Sequence, residues 1–152
     1  MTNPNLTSLK KRTSIDLILS GIIGIAGAVA GIIFLIKFGG GAPKQYLTNA
    51  VYSLALAAET LLLCLILIHV RKKGTPFSKA VIVLLRIMAV ILFLAGLMPS
   101  FVEVESEPNM VAVSTTFNFQ NFLLIALAAI IGVISEIFVY GKALQEDNDL
   151  IA

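Results

Sequence analysis

Apolar residues fill four stretches of this chain, residues 17–36, 46–70, 80–102 and 117–140, and polar residues gather between them. The first stretch holds no ionisable residue. The second is interrupted only by Glu59 and the terminal His69, the third by Arg86 and the fourth by Glu136. At about 1.5 Å per residue, each stretch is long enough to cross a hydrocarbon core of roughly 30 Å as a helix. The pattern predicts an all-α, integral membrane four-helix bundle that forms one transmembrane domain over residues 1–152. Its spans fall at about 15–37, 46–70, 79–101 and 118–141, with a tail at 142–152.

The breaks between stretches have physical causes. Gly39-Gly40-Gly41-Ala42-Pro43 cannot continue a helix, because glycines cost backbone entropy and Pro43 biases Ala42 towards extended geometry. In Gly74-Thr75-Pro76-Phe77-Ser78, Gly74 is expected to end the second helix and Thr75 to cap the third, with Pro76 in its first turn. Glu107-Pro108-Asn109 marks a turn. Residues 111–116 are rich in β-branched side chains, and two readings stay open there: a short extended piece, or a longer fourth helix.

Composition narrows the function classes. The chain has 152 residues, 58% of them hydrophobic, and a mean hydropathy of +0.96, so no separate soluble domain fits beside the spans. Trp is absent, which leaves Tyr46, Tyr52, Tyr140 and the Phe residues for any aromatic belt. The single cysteine, Cys64, excludes an internal disulfide, and one histidine excludes a multi-histidine metal site within the chain. No metal or cofactor is expected. Lys10, Lys11 and Arg12 resemble the basic start of a secretory signal, but the apolar run after them is about 20 residues. Signal cores run to about 7–15, so a retained first span is expected.

Basic residues sort by loop. Eight of them (Lys10, Lys11, Arg12, Arg71, Lys72, Lys73, Lys79 and Lys142) flank one side of the predicted spans, and only Lys37 and Lys44 flank the other. This bias predicts that both termini and the middle loop are cytoplasmic, with the lysines facing lipid headgroups. Without aromatic interleaving or a recognition-helix pattern, direct nucleic-acid binding is not expected.

Apolar burial cannot pull helices together inside lipid, so close backbone approach and polar pairing must do so. Ser20, Gly24, Gly27 and Gly31 line one face of the first span; Ala129, Gly132 and Glu136 share a face of the fourth; Arg86, Ala89, Phe93 and Gly96 align on the third. These faces are read as packing seams, with a homo-oligomer interface as the alternative. Arg86 and Glu136 lie at similar depth near the cytoplasmic ends of their spans, so they are expected to pair, with Asp16 joining them in an intramembrane polar cluster. Twelve Leu, Ile, Val or Phe residues between 81 and 97 outweigh the insertion cost of the one arginine. Whether the pair is a fixed lock or a switchable reporter stays open. Glu59 lies near mid-span with no basic residue at matching depth. It is either a neutral acid bonded to a neighbouring helix or a proton or ion site.

No HExxH, GxSxG, P-loop or Cys-His arrangement is present, which points away from an enzyme. Two segments carry a resemblance: Gly74-Thr75-Pro76-Phe77-Ser78 with Leu84-Leu85-Arg86-Ile87, and the run from Glu136-Ile137-Phe138-Val139-Tyr140-Gly141 through Lys142 to Ile151. Together they resemble the small bacterial four-span family catalogued as domain of unknown function 2975. Asp147 stands where that family often carries Glu. The resemblance implies no defined activity; it implies a membrane partner for a cytosolic helix-turn-helix transcriptional regulator, since such regulators are often encoded beside family members. The acidic tail Leu144, Gln145, Glu146, Asp147, Asp149 and Leu150, and the inner loop Thr75, Pro76, Phe77 and Ser78, are then the expected contact surface. The alternative for the tail is a solvated helix end folded back on Arg71, Lys72 or Lys73. The leading expectation is a non-enzymatic membrane regulator or sensor. Behind it stand a small proton-coupled transporter or efflux component using Glu59, and a structural accessory subunit.

Overall fold

The computed structural model describes residues 4–73, 75–106 and 110–151; the side chains of residues 4–11, 102–114 and 149–151 lie outside that description. It contains four helices: α1 (Pro4–Gly39), α2 (Gln45–Lys73), α3 (Lys79–Leu97) and α4 (Phe119–Ile151). A two-stranded antiparallel hairpin, β1 (Ser100–Ser106) with β2 (Met110–Thr116), joins α3 to α4. All four helices are long and apolar enough to cross a membrane, so the chain is a multi-pass membrane protein built as an all-α four-helix bundle. Consecutive helices run antiparallel. The start of α1 and the end of α4 therefore share one end of the molecule, and the hairpin occupies the other.

Each connection departs from the helix for a local reason. Between α1 and α2, Gly41 takes φ +88°, a left-handed geometry that favours glycine, and Gly40 N–H closes the last turn on Ile36 O at 3.0 Å. Before α3 the N-cap is Ser78, whose Oγ accepts from Val81 N–H at 3.4 Å. Thr75, expected to cap this helix, instead accepts from Phe77 N–H at 3.2 Å in a side-chain turn, and Pro76 precedes the helix. Gly74 lies outside the described residues.

The third helix ends at Leu97, short of residue 101 where the span was expected to finish, because Ser100 already pairs with Thr116 in the hairpin. The run at 111–116 is thus extended, as β-branched side chains favour. The turn expected at Glu107-Pro108-Asn109 lies outside the described residues.

The α1 glycines face α2 closely. A Cβ on Gly27 would stand 3.1 Å from Ser53 O, and one on Gly31 would overlap the Leu54 side chain at 2.6 Å. On α3, a Cβ at Gly96 would meet Asn121 O at 3.1 Å and Ile125 Cγ1 at 2.8 Å. The fourth helix corrects its expected seam: Ala129 is exposed and a Cβ on Gly132 would touch nothing. It packs through buried Asn121, Ala128 and Ser135 instead. Phe93 of α3 also faces outward. An outward apolar or small face costs nothing in lipid, so the spacing of small residues does not choose the seam.

The core is a short column on α3, Val81, Leu85 and Met88, flanked by Leu62, Ile66 and Val70 of α2 and by Ile131 and Phe138 of α4. Thus α3 lies between α2 and α4. Among the described residues the backbones of α2 and α4 do not approach each other, and α1 packs on α2 alone. The bundle is open along the side where α2 and α4 diverge.

Candidate functional site

That opening is a groove of about 730 Å³ in the half of the molecule nearer the hairpin. Leu56 and Leu63 of α2, Leu92 of α3, and Leu124, Leu127 and Ile131 of α4 supply apolar walls. Asn49, Tyr52 and Gln120 line it towards the hairpin end, and Glu59 and Thr60 line it deeper. Glu59 lies about 14 residues into α2, roughly 21 Å along its axis. Only 7% of Glu59 is exposed, and neither carboxyl oxygen has a hydrogen-bond partner among the described residues. The neighbouring Thr60 hydroxyl is occupied, contacting Leu56 O at 2.9 Å and Ala57 O at 3.0 Å in its own helix.

A knot of polar groups fixes the hairpin end. Fully buried Asn121 donates through Nδ2 to Gly96 O at 2.9 Å and Met98 O at 2.6 Å, satisfying carbonyls that the end of α3 leaves free. Its Oδ1 accepts from Asn118 N–H at 3.1 Å. Ser100 Oγ receives a bond from Asn118 Nδ2 at 2.9 Å, and Tyr52 Oη reaches Met98 O and Ser100 Oγ at 3.4 Å each. Thr48 Oγ1 accepts from Phe101 N–H at 3.3 Å. The knot ties α2, α3, the hairpin and α4 together at the mouth of the groove. Sequence reasoning missed Asn121; its signal was a cluster of three amides, Asn118, Gln120 and Asn121, at the edge of an apolar stretch.

The structure brings Arg86 and Glu136 together, Nη2 to Oε1 at 2.8 Å. The pair lies on the outer surface of α3 and α4, with side chains 56% and 58% exposed, rather than in an inter-helix core. Asp16 does not join it. It is exposed on α1, which is separated from α3 and α4 by α2, and its backbone carbonyl accepts from Ser20 Oγ at 2.7 Å.

The inner-loop and tail residues meet. Thr75 Oγ1 donates to Gln145 Oε1 at 3.0 Å, and the Phe77 ring packs edge-on against Phe138 at 5.3 Å and fills the space left by Gly141. Glu146 pairs with Lys142 one turn before it, not with Arg71, Lys72 or Lys73. Leu144, Gln145, Glu146 and Asp147 are exposed, whereas the side chains of Asp149 and Leu150 lie outside the described residues.

Fold and site together define a four-helix, multi-pass membrane protein with a lateral apolar groove and, within it, an acid that has no partner among the described residues. Comparison with protein-family models, curated proteins and solved structures finds no match.

Proposed function

We propose that this chain is a non-enzymatic regulator or sensor of the bacterial cytoplasmic membrane that tethers or restrains a cytosolic helix-turn-helix transcription factor. In this reading both termini are cytoplasmic, and the inner loop and tail form the docking surface. One observation carries it: α4 runs without a break from the groove wall at Gln120 to Ile151, and the inner loop is bonded to it through Thr75 and Gln145. A change in the spacing of α2 and α4 around the groove would therefore move the tail as part of a single rod about 50 Å long. The exposed acids Glu146 and Asp147 beside exposed Leu144 complement a basic DNA-binding surface with an apolar anchor. The resemblance to the four-span family of unknown function agrees with such a partner.

The test is co-purification in mild detergent with the helix-turn-helix regulator encoded nearest this chain. Deleting residues 144–152 is expected to abolish co-purification while leaving the protein monodisperse. Undiminished co-purification after the deletion contradicts the reading. A second reading, a proton-coupled transporter or efflux component, draws on the buried, unpartnered Glu59. Under it, Glu59→Gln abolishes proton-coupled flux in proteoliposomes and the tail deletion spares it.

A further inference from the structure

We propose that the groove is a binding site for a soluble lipophilic amine, an apolar molecule with one ammonium group, held with that ammonium against the Glu59 carboxylate. Buried polar side chains in folded proteins almost always have partners, and buried charges are paired. Glu59 breaks that rule: it is 7% exposed and both its oxygens are unpartnered among the described residues. Among the described residues, none that lines the groove is Lys, Arg or His. Arg86 is engaged with Glu136 on the outer surface. A countercharge for Glu59 has to come from what enters the groove.

The volume and lining choose among cations. About 730 Å³ lies within the roughly 300–1,000 Å³ range of small-molecule sites, and the walls are predominantly apolar. A bare metal ion needs several oxygen ligands, but among the described residues Glu59 supplies the one carboxylate in the groove and no group of acids that could hold a metal is present. A proton alone would neutralise the acid but would not fill the apolar groove beside it. A lipid tail would fill the apolar space without satisfying Glu59. An aminophospholipid headgroup would have to carry its phosphate roughly 21 Å along α2, to a place with no basic residue to receive it. A compact ammonium on an apolar body meets both demands, through charge-assisted hydrogen bonds at one end and apolar contact along the rest. The proposal does not rest on the tether reading, because binding is measured with no cytosolic partner present.

The experiment uses the full chain in nanodiscs of zwitterionic lipid, with propranolol as a fluorescent amine probe and, beside it, a neutral analogue whose amine is replaced by an ether. Saturable propranolol binding is expected, at least about tenfold tighter than binding of the neutral analogue. Glu59→Gln should remove that preference, reducing propranolol to the level of the analogue, and Leu127→Trp, which fills the groove, should weaken both ligands. Non-saturable uptake by the parent protein overturns the proposal, as does equal affinity for the two ligands. A preference that persists in Glu59→Gln also overturns it. If Glu59→Gln does not fold, the parent's preference for the amine, with weaker binding of both ligands to Leu127→Trp, decides the matter.

Discussion

Glu59 and Glu136 are both acids in apolar helices, and the protein treats them in opposite ways. Glu136 sits on the outer surface of the bundle and is held by Arg86 at 2.8 Å; Glu59 is buried in the groove and held by nothing among the described residues. Arg86 is about two turns from the start of α3, so both members of the outer pair can snorkel towards the nearby interface. Near mid-helix, Glu59 has no such escape. In the proposed reading the paired carboxylate holds two helices together, whereas the one with no partner among the described residues receives a ligand's ammonium.

The largest expected effect tests whether the surroundings of Glu59 are rigid. Asn121→Leu removes two buried donor bonds to Gly96 and Met98 and should cost about 2–4 kcal/mol in unfolding free energy. Because the knot it anchors sits at the groove mouth, the variant should also weaken any ligand binding there. Unchanged stability, read by chemical denaturation in lipid–detergent micelles, would mean that the knot does not brace the groove.

Next in size is the outer pair. Arg86→Leu leaves Glu136 without its countercharge at the lipid-facing surface and should cost on the order of 2 kcal/mol. Arg86→Leu combined with Glu136→Leu should recover most of that loss, since two leucines suit lipid there. A double variant as unstable as the worse single would break the contrast from its Glu136 side. Smaller again is Thr75→Val, which removes an exposed bond between inner loop and tail and should cost about 0.5–1 kcal/mol. Its visible consequence should be faster amide exchange in the last turns of α4.

These contrasts also mark what the amino-acid order could convey. Lipid demands about 20 apolar residues per crossing, so all four helices were legible. Gly24, Gly27 and Gly31 marked a seam, but nothing in their spacing named α2 as the partner. Equal depth placed Arg86 and Glu136 on one level along the bundle axis. Depth says nothing of direction around a helix, and in lipid an outward face is as apolar as an inward one, so the exposure of the pair and of Ala129 and Gly132 was not legible. Asp16 failed for the same reason: it has the right height, but α2 stands between it and the pair. The groove was hidden because it depends on how far α2 and α4 diverge, which no local pattern records. The β-branched run at 111–116 allowed an extended piece, and only pairing with residues 100–106 decided it.

The smallest expected effect tests the contrast most directly: the unfolding free energies of Glu59→Leu and Glu136→Leu, measured side by side in the same bilayer mimic. The protein should lose on the order of 2 kcal/mol with Glu136→Leu, which strands Arg86. With Glu59→Leu it should lose nothing beyond about 0.5 kcal/mol, or should gain stability, because no bond to a described residue is broken and a buried acid is removed. A loss at Glu59 as large as the loss at Glu136 would make Glu59 a structural residue and contradict the account.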